Sequence, residues 1–223
     1  DVPATVRWVE QVTGIEFPKE RWLGSTGRKA TSGDLDLAVD ISEVSKDALA
    51  AHLSEFVTSQ GLDPRDFVRK GGEVHLKTPI AGNPANGFVQ TDFMFFPNLD
   101  WGTFFYAGGE DSAYKGMNRN VLMSSIAKTL GLKVGANGMF SRDSNQLVSQ
   151  DPDYVAKALL GPKATRDDLG NVESIGWLGW CHAMCLLNDV NVPINIGTHV
   201  DEYKAWLLEN QNWIIEKTRT YIL

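Results

Sequence analysis

A 223-residue chain with 43% hydrophobic and 22% charged residues has the composition of an ordinary globular protein, long enough to bury a core without disulfide or metal staples. A formal net charge of −7 argues against a broad, non-specific grip on DNA or RNA, which depends on neutralising phosphates, but leaves room for a local basic patch. No run of 18 apolar residues is present, so no membrane span is expected, and two cysteines, both in CHAMC, argue against a disulfide framework. The opening DVPATVRWVEQ is polar and amphipathic, unlike a secretory signal, so the expected compartment is reducing and cytoplasmic.

In chain order, Val6, Val9 and Val12 are at helical spacing and predict a helix over 3–13. A short strand at 21–24 leads into a glycine- and hydroxyl-rich loop, and DLDLAVD at 34–40 alternates like a half-buried strand. Ser45 is placed to cap a helix running to Gln60, with Ala48, Leu49, Leu53, Phe56 and Val57 on one stripe. EVHLKTPI (73–80) and GFVQTDFMFF (87–96) predict two strands joined by the turn-rich AGNPANG. A helix follows at 112–130, then a small hairpin within 139–148, then helices near 152–160, 171–187 and 200–219. This order predicts an α+β fold. A small mixed sheet flanked by helices occupies the first part, 1–110, and a mainly helical region, 111–223, completes the cleft.

Asp34 and Asp36 share a parity, so both project from the same face of their strand, with Cα atoms roughly 7 Å apart. Two carboxylates so placed beside an apolar core repel each other and resist desolvation, and a divalent cation removes both penalties. Asp40 has the same parity but lies about 13 Å beyond Asp36, and is read as a strand-end residue. Asp92 sits inside the later apolar strand, on one face with Gln90 and Met94. If the two strands are neighbours, three carboxylates converge.

LGSTGRKATSGDLDLAVD followed by VQTDFMF resembles the DNA polymerase β-like nucleotidyltransferase superfamily, over about residues 20–96. The family pattern is a Gly-Ser turn, a variable loop, a D-x-D strand and a third acid on a later strand. Here these are Gly24, Ser25, Asp34, Asp36 and Asp92. The remainder is similar, less firmly, to small stand-alone members encoded by bacteria and their phages. The resemblance implies transfer of a nucleotidyl group from an NTP to an acceptor hydroxyl, with release of pyrophosphate. It implies Mg²⁺, or Mn²⁺, on Asp34, Asp36 and Asp92, and a triphosphate cradled by the loop.

Arg28, Lys29 and Ser32 are candidates for triphosphate contact; a solvated basic pair and a turn hydroxyl are the structural alternatives. Lys115 and Arg119 are four apart on a helix and share a face, as do the phosphate-binding basic residues of some family members; a solvated face is the alternative. Tyr114 is a candidate to stack on a base, and Trp101 to line a pocket. WCHAMC places Cys181 and Cys185 one helical turn apart, but the surrounding sequence reads as a buried helix. His75 alternates with Glu73 and Lys77 and is expected at solvent or a pocket rim, while His52, His182 and His199 form no pattern. The acceptor stays open: an RNA 3′ end, a protein side chain as in some toxin–antitoxin modules, or a small molecule. A non-catalytic nucleotide-binding module and a metal-dependent hydrolase are the competing classes; the three intact acids disfavour the first and the Gly-Ser loop the second.

Overall fold

The computed structural model describes residues 1–28, 31–107, 116–160 and 164–170, with isolated positions between 185 and 216. The chain divides into two compact units, Asp1–Ala107 and Gly108–Leu223. No helix among the described residues is long and apolar enough to cross a membrane.

The first unit opens with α1 (Val2–Thr13), which buries Thr5, Val6, Val9 and Val12 along one stripe. Gly14, at φ 69°, ends the helix by donating its N–H to Glu10 O. A left-handed residue at this position suits glycine because it has no Cβ to clash. Strands β1 (Trp22–Leu23) and β2 (Asp34–Asp40) follow, then α2 (Lys46–Ser59). Ser45 caps α2 as expected, its hydroxyl accepting from Ala48 N at 3.1 Å. The buried stripe is Leu49, Ala50, Leu53 and Val57, so Ala50 takes the place the sequence suggested for Ala48, which is exposed. Strands β3 (Val68–Lys70), β4 (Val74–Pro79) and β5 (Phe88–Phe96) come next, and α3 (Leu99–Tyr106) closes the unit. The 79–88 connection makes the expected turn between two antiparallel strands. Neither β3 nor α3 was expected from the sequence.

The five strands form one mixed sheet in the order β1-β2-β5-β4-β3, in which β2 and β5 are parallel and the other pairs antiparallel. Alternation then assigns two faces. Leu35, Leu37, Val39, Val74, Leu76 and Phe93 point to the side of α1 and α2 and form the main core with Val6, Val9, Leu49 and Leu53. On the opposite face, Ala38, Met94 and Phe96 pack with Leu23 and with Leu99 and Tyr106 of α3. That packing sits toward the C-terminal ends of β2 and β5. Gly102 allows it: a Cβ there would overlap the Phe96 ring. Trp101 is fully buried beside Phe104 and Phe105, so it belongs to the packing of α3 rather than to a pocket wall.

The second unit contains α4 (Gly116–Thr129), β6 (Leu132–Gly135), β7 (Gly138–Ser141), β8 (Leu147–Ser149), α5 (Pro152–Leu160) and α6 (Arg166–Gly170). The hairpin expected at 139–148 is β7–β8, turned through Asn145 at φ 59°. A third strand, β6, pairs with β7, so this unit carries a small antiparallel sheet where the sequence suggested mainly helix. The helices expected near 171–187 and 200–219 lie outside the continuously described residues. The fold is α+β.

Candidate metal centre

The acids meet because of strand register. Asp36 is the direct partner of Asp92 across the parallel β2–β5 pair, and Asp34 is the partner of Gln90. All four share the sheet face on which α3 packs, on the N-terminal side of Ala38 and Met94. Ligand oxygens of Asp34, Asp36 and Asp92 lie within 4.8 Å of one another, a spacing that suits a shared cation. The set consists of carboxylate oxygens, the ligand type that Mg²⁺ and Mn²⁺ take.

Electrostatics fit the same group. Burial, followed by the charges of Asp34, Asp92 and Glu73, pushes the Asp36 carboxyl up to about 6. Burial and the charge of Asp92 raise Glu73, against the pull of His75. Tyr106 is raised by burial and by Glu73. A bound cation would relieve the resistance of Asp36 and Glu73 to ionisation.

The glycine-rich loop is fastened to Asp36. Gly24 sits at φ 56°, and a Cβ there would overlap the Asp36 carboxylate. Only glycine lets the turn come this close. Thr26, almost fully buried, accepts a hydrogen bond from Asp36 N at 2.9 Å through its hydroxyl. Gly27, at φ 67°, lies against the Trp22 ring, whose Nε1 donates to Phe17 O at 2.7 Å. The amides of Gly24, Thr26 and Arg28 are engaged within the unit, by Tyr106 O, Leu23 O and Ser25 O.

Ser32 Oγ donates to Asp34 O at 2.7 Å, which leaves Ser25 Oγ as the donor in the 2.7 Å Ser25–Ser32 contact. These two hydroxyls therefore tie both ends of the loop to the backbone carbonyl of Asp34. Arg28 Nη2 donates to Trp22 O at 3.4 Å.

Three residues that the sequence reading left outside the site belong to it. His75 is paired with Asp92 across the antiparallel β4–β5 pair, and its Nδ1 lies 2.6 Å from Asp92 Oδ1. Gln90 Nε2 donates to the same oxygen at 2.8 Å. Glu73, His75 and Asp92 offer ligand atoms within 4.8 Å of one another, a second grouping that shares Asp92. His75 thus contacts an acid while it also lines a cavity, in keeping with the pocket-rim position expected of it. The parity of E-x-H-x-K and Q-x-D was visible in the sequence, but the register that brings them together was not.

Lys29, Tyr114, Lys115, Cys181, His182 and His199 lie outside the described residues. Arg119 is on α4 in the second unit and is 3% exposed, so it is a buried arginine and not part of a solvated basic face. Cys185 is a free, buried thiol that burial pushes up to about 11, which keeps it protonated and inert. His52 Nε2 lies 2.7 Å from Val12 O, in the first unit but apart from the acids. No family model matches the chain, and no curated protein matches it.

Proposed function

We propose that the chain is a Mg²⁺-dependent nucleotidyltransferase, of the polymerase β-like kind, that moves an NMP from an NTP to an acceptor hydroxyl. The observation that carries this reading is the β2–β5 register. It supports the convergence of Asp34, Asp36 and Asp92 beneath a Gly-Ser turn that only glycine lets pack on Asp36.

In the reaction the acceptor oxygen bonds to the α-phosphorus of the NTP. The bond from that phosphorus to the bridging oxygen breaks, and pyrophosphate leaves. A divalent cation supplies charge neutralisation for the phosphates and lowers the pKa of the hydroxyl. The chain's own residues supply position. Asp34 and Asp36 would hold the cation, and through it the triphosphate, from one side, and the Ser25 and Ser32 hydroxyls line the loop beside them. Asp92 would complete the cation site on the acceptor side and help the hydroxyl lose its proton, either through the cation or as the base. Its Oδ1 is already engaged by His75 and Gln90, which leaves Oδ2 for that role. Positioning and charge stabilisation account for most of the catalysis in such transfers, so no further nucleophile is needed.

The test is incubation with each α-labelled NTP, Mg²⁺, and separate pools of cellular RNA, protein and small solutes. Label is expected to enter one pool with the wild type and none with Asp34→Ala or Asp36→Ala. Equal labelling by wild type and variants contradicts the proposal.

A further inference from the structure

We infer that Glu73, His75 and Asp92 form a second cation site, distinct from the oxygen-only set of Asp34, Asp36 and Asp92, and that it takes a first-row transition ion of the Zn²⁺ class. Ligand atoms of the three residues lie within 4.8 Å of one another. Two of the three are locked by register. His75 on β4 is the direct partner of Asp92 on β5, and its Nδ1 stands 2.6 Å from Asp92 Oδ1. Glu73 comes two residues before His75, so its carboxylate reaches the same side of the sheet. Gly71 N donates to Glu73 O at 2.8 Å, and Lys46 Nζ of α2 donates to Gly71 O at 2.9 Å, which fastens the turn carrying Glu73 to a helix. A cavity of about 300 Å³, lined by His75 and Gln90, gives an ion its way in.

The Glu73 carboxylate is itself unusual. Partly buried carboxylates in this chain accept hydrogen bonds: Glu10 from Phe17 N, Asp40 from Ser42 N, Asp63 from Arg65, Asp153 from Arg166 and Asp168 from Thr165 N. Among the described residues, only those of Asp34, Asp36 and Glu73 are partly buried and neither accept a hydrogen bond nor form an ion pair. The first two belong to the oxygen-only set, which leaves Glu73. The charges that act on its carboxyl are those of Asp92 and His75, and no lysine or arginine is among them. Lys77, next on this face, carries its Nζ over the Phe67 and Phe88 rings, 5.1 and 4.8 Å from their centroids. A half-buried carboxylate that faces a second carboxylate is costly until a cation joins the two.

The donor set selects the ion. Imidazole nitrogen suits Zn²⁺, Cu²⁺ and Ni²⁺, whereas carboxylate oxygen alone suits Mg²⁺ and Mn²⁺. The two groupings therefore differ in preference although they share Asp92. One nitrogen and two carboxylates leave a coordination position open, as in zinc sites that keep a water. Bonds of about 2.0–2.2 Å put the donors of a tetrahedral Zn²⁺ roughly 3.4 Å apart, so His75 and Asp92 need to part by less than about 1 Å. The hydrogen they share leaves to solvent as the ion takes its place. Gln90 Nε2, which donates to Asp92 Oδ1 at 2.8 Å, holds that carboxylate in orientation from outside the ligand set.

Binding is measured on the full chain without nucleotide, by Zn²⁺ competition against a chromogenic chelator and by nitrogen NMR of the imidazoles. One equivalent of Zn²⁺ is expected to shift the ring nitrogens of His75 and to leave those of His52 in place. The Asp34→Asn/Asp36→Asn pair is expected to keep Zn²⁺ binding while losing Mn²⁺ binding. Glu73→Gln and His75→Gln are each expected to weaken Zn²⁺ binding by more than about tenfold, the scale on which even outer partners of a ligand act. Glu73→Gln should keep most of the Mn²⁺ affinity.

Zn²⁺ held no more tightly than Mg²⁺ overturns the inference. So does a His75 ring that Zn²⁺ does not shift, a readout taken on wild type that requires no variant to fold. So does Zn²⁺ binding that survives Glu73→Gln and His75→Gln but is lost with Asp34 and Asp36. If Zn²⁺ binds as expected but wild type transfers no nucleotide, the transferase reading fails and this site stands; if Zn²⁺ does not bind and α-label is still transferred with Mg²⁺, the reverse holds.

Discussion

Asp36 concentrates the tension of the candidate site. It is half-buried, faces two other carboxylates, and its carboxyl is pushed up to about 6. The unfolded chain holds that proton less tightly, with a value near 3.9. The folded state therefore gains stability from Asp36 below about pH 4, and loses it as pH rises through about 6. A shift of two units corresponds to about 3 kcal/mol, which solvent screening at a half-buried site reduces to about 1–2 kcal/mol. Asp36→Asn is accordingly expected to raise the Tm of chelator-treated protein at pH 8 and to leave it nearly unchanged at pH 4. Thermal denaturation checks this, and a lower Tm for the variant at pH 8 contradicts it. Adding Mg²⁺ is expected to raise the wild-type Tm at pH 8 and to have little effect on the variant.

Gly24 is the other decisive residue, since its backbone is left-handed and its missing Cβ makes room for the Asp36 carboxylate. Gly24→Ala is expected to cost about 1 kcal/mol of stability in urea titration. It should also lower kcat/KM about 100-fold, because it displaces the carboxylate. Equal activity would mean that the loop does not position the site. The acids and this glycine were legible because a charge inside an apolar strand and a glycine before a D-x-D strand are local features. His75 was not, because its role depends on a partner seventeen positions away in sequence.

At the scale of elements, β2 and β5 do most of the work. Each strand puts its apolar parity on α1 and α2 and its acidic parity on the opposite face, so packing one face sets the geometry of the other. A one-residue slip would exchange the faces, and the buried Leu37 and Phe93 prevent it by locking the register. Phe93→Ala is therefore expected to destabilise the protein by about 3–5 kcal/mol in urea titration, with Mn²⁺ affinity falling in step. A loss below about 1 kcal/mol would place the lock elsewhere.

The strands themselves could be read from alternation, and α2 from its cap. The parallel pairing could not, because α2, β3 and β4 all lie between its two strands and no local signal spans that distance. Strand β3 is only three residues long and α3 only eight, too short for periodicity to register. The Asn98 cap, which accepts from Trp101 N at 2.9 Å, was the one local sign of α3.

At the scale of the whole molecule, every residue of the acid cluster, its loop and the adjoining cavity belongs to the unit 1–107. So does the main core, from Val6 to Phe93. A fragment of residues 1–107 is expected to bind Mn²⁺ as the full chain does, by electron paramagnetic titration. A fragment that folds but does not bind would show that the cation site needs the rest of the chain. The α+β class was legible from the order of strands and helices, whereas the three-stranded sheet of the second unit was not, because β6 and β8 are short and mostly half-exposed.

The most direct test of the central claim follows both ends of the nucleotide at once. Wild type is supplied with Mg²⁺, acceptor and NTP labelled in parallel at the α- or the γ-phosphate. The account predicts α-label on the acceptor and γ-label released as pyrophosphate in equal molar amount, with both lost in Asp36→Asn. Transfer of γ-label to the acceptor, γ-label released as free phosphate with no α-label transferred, or an Asp36→Asn variant as active as wild type would contradict it.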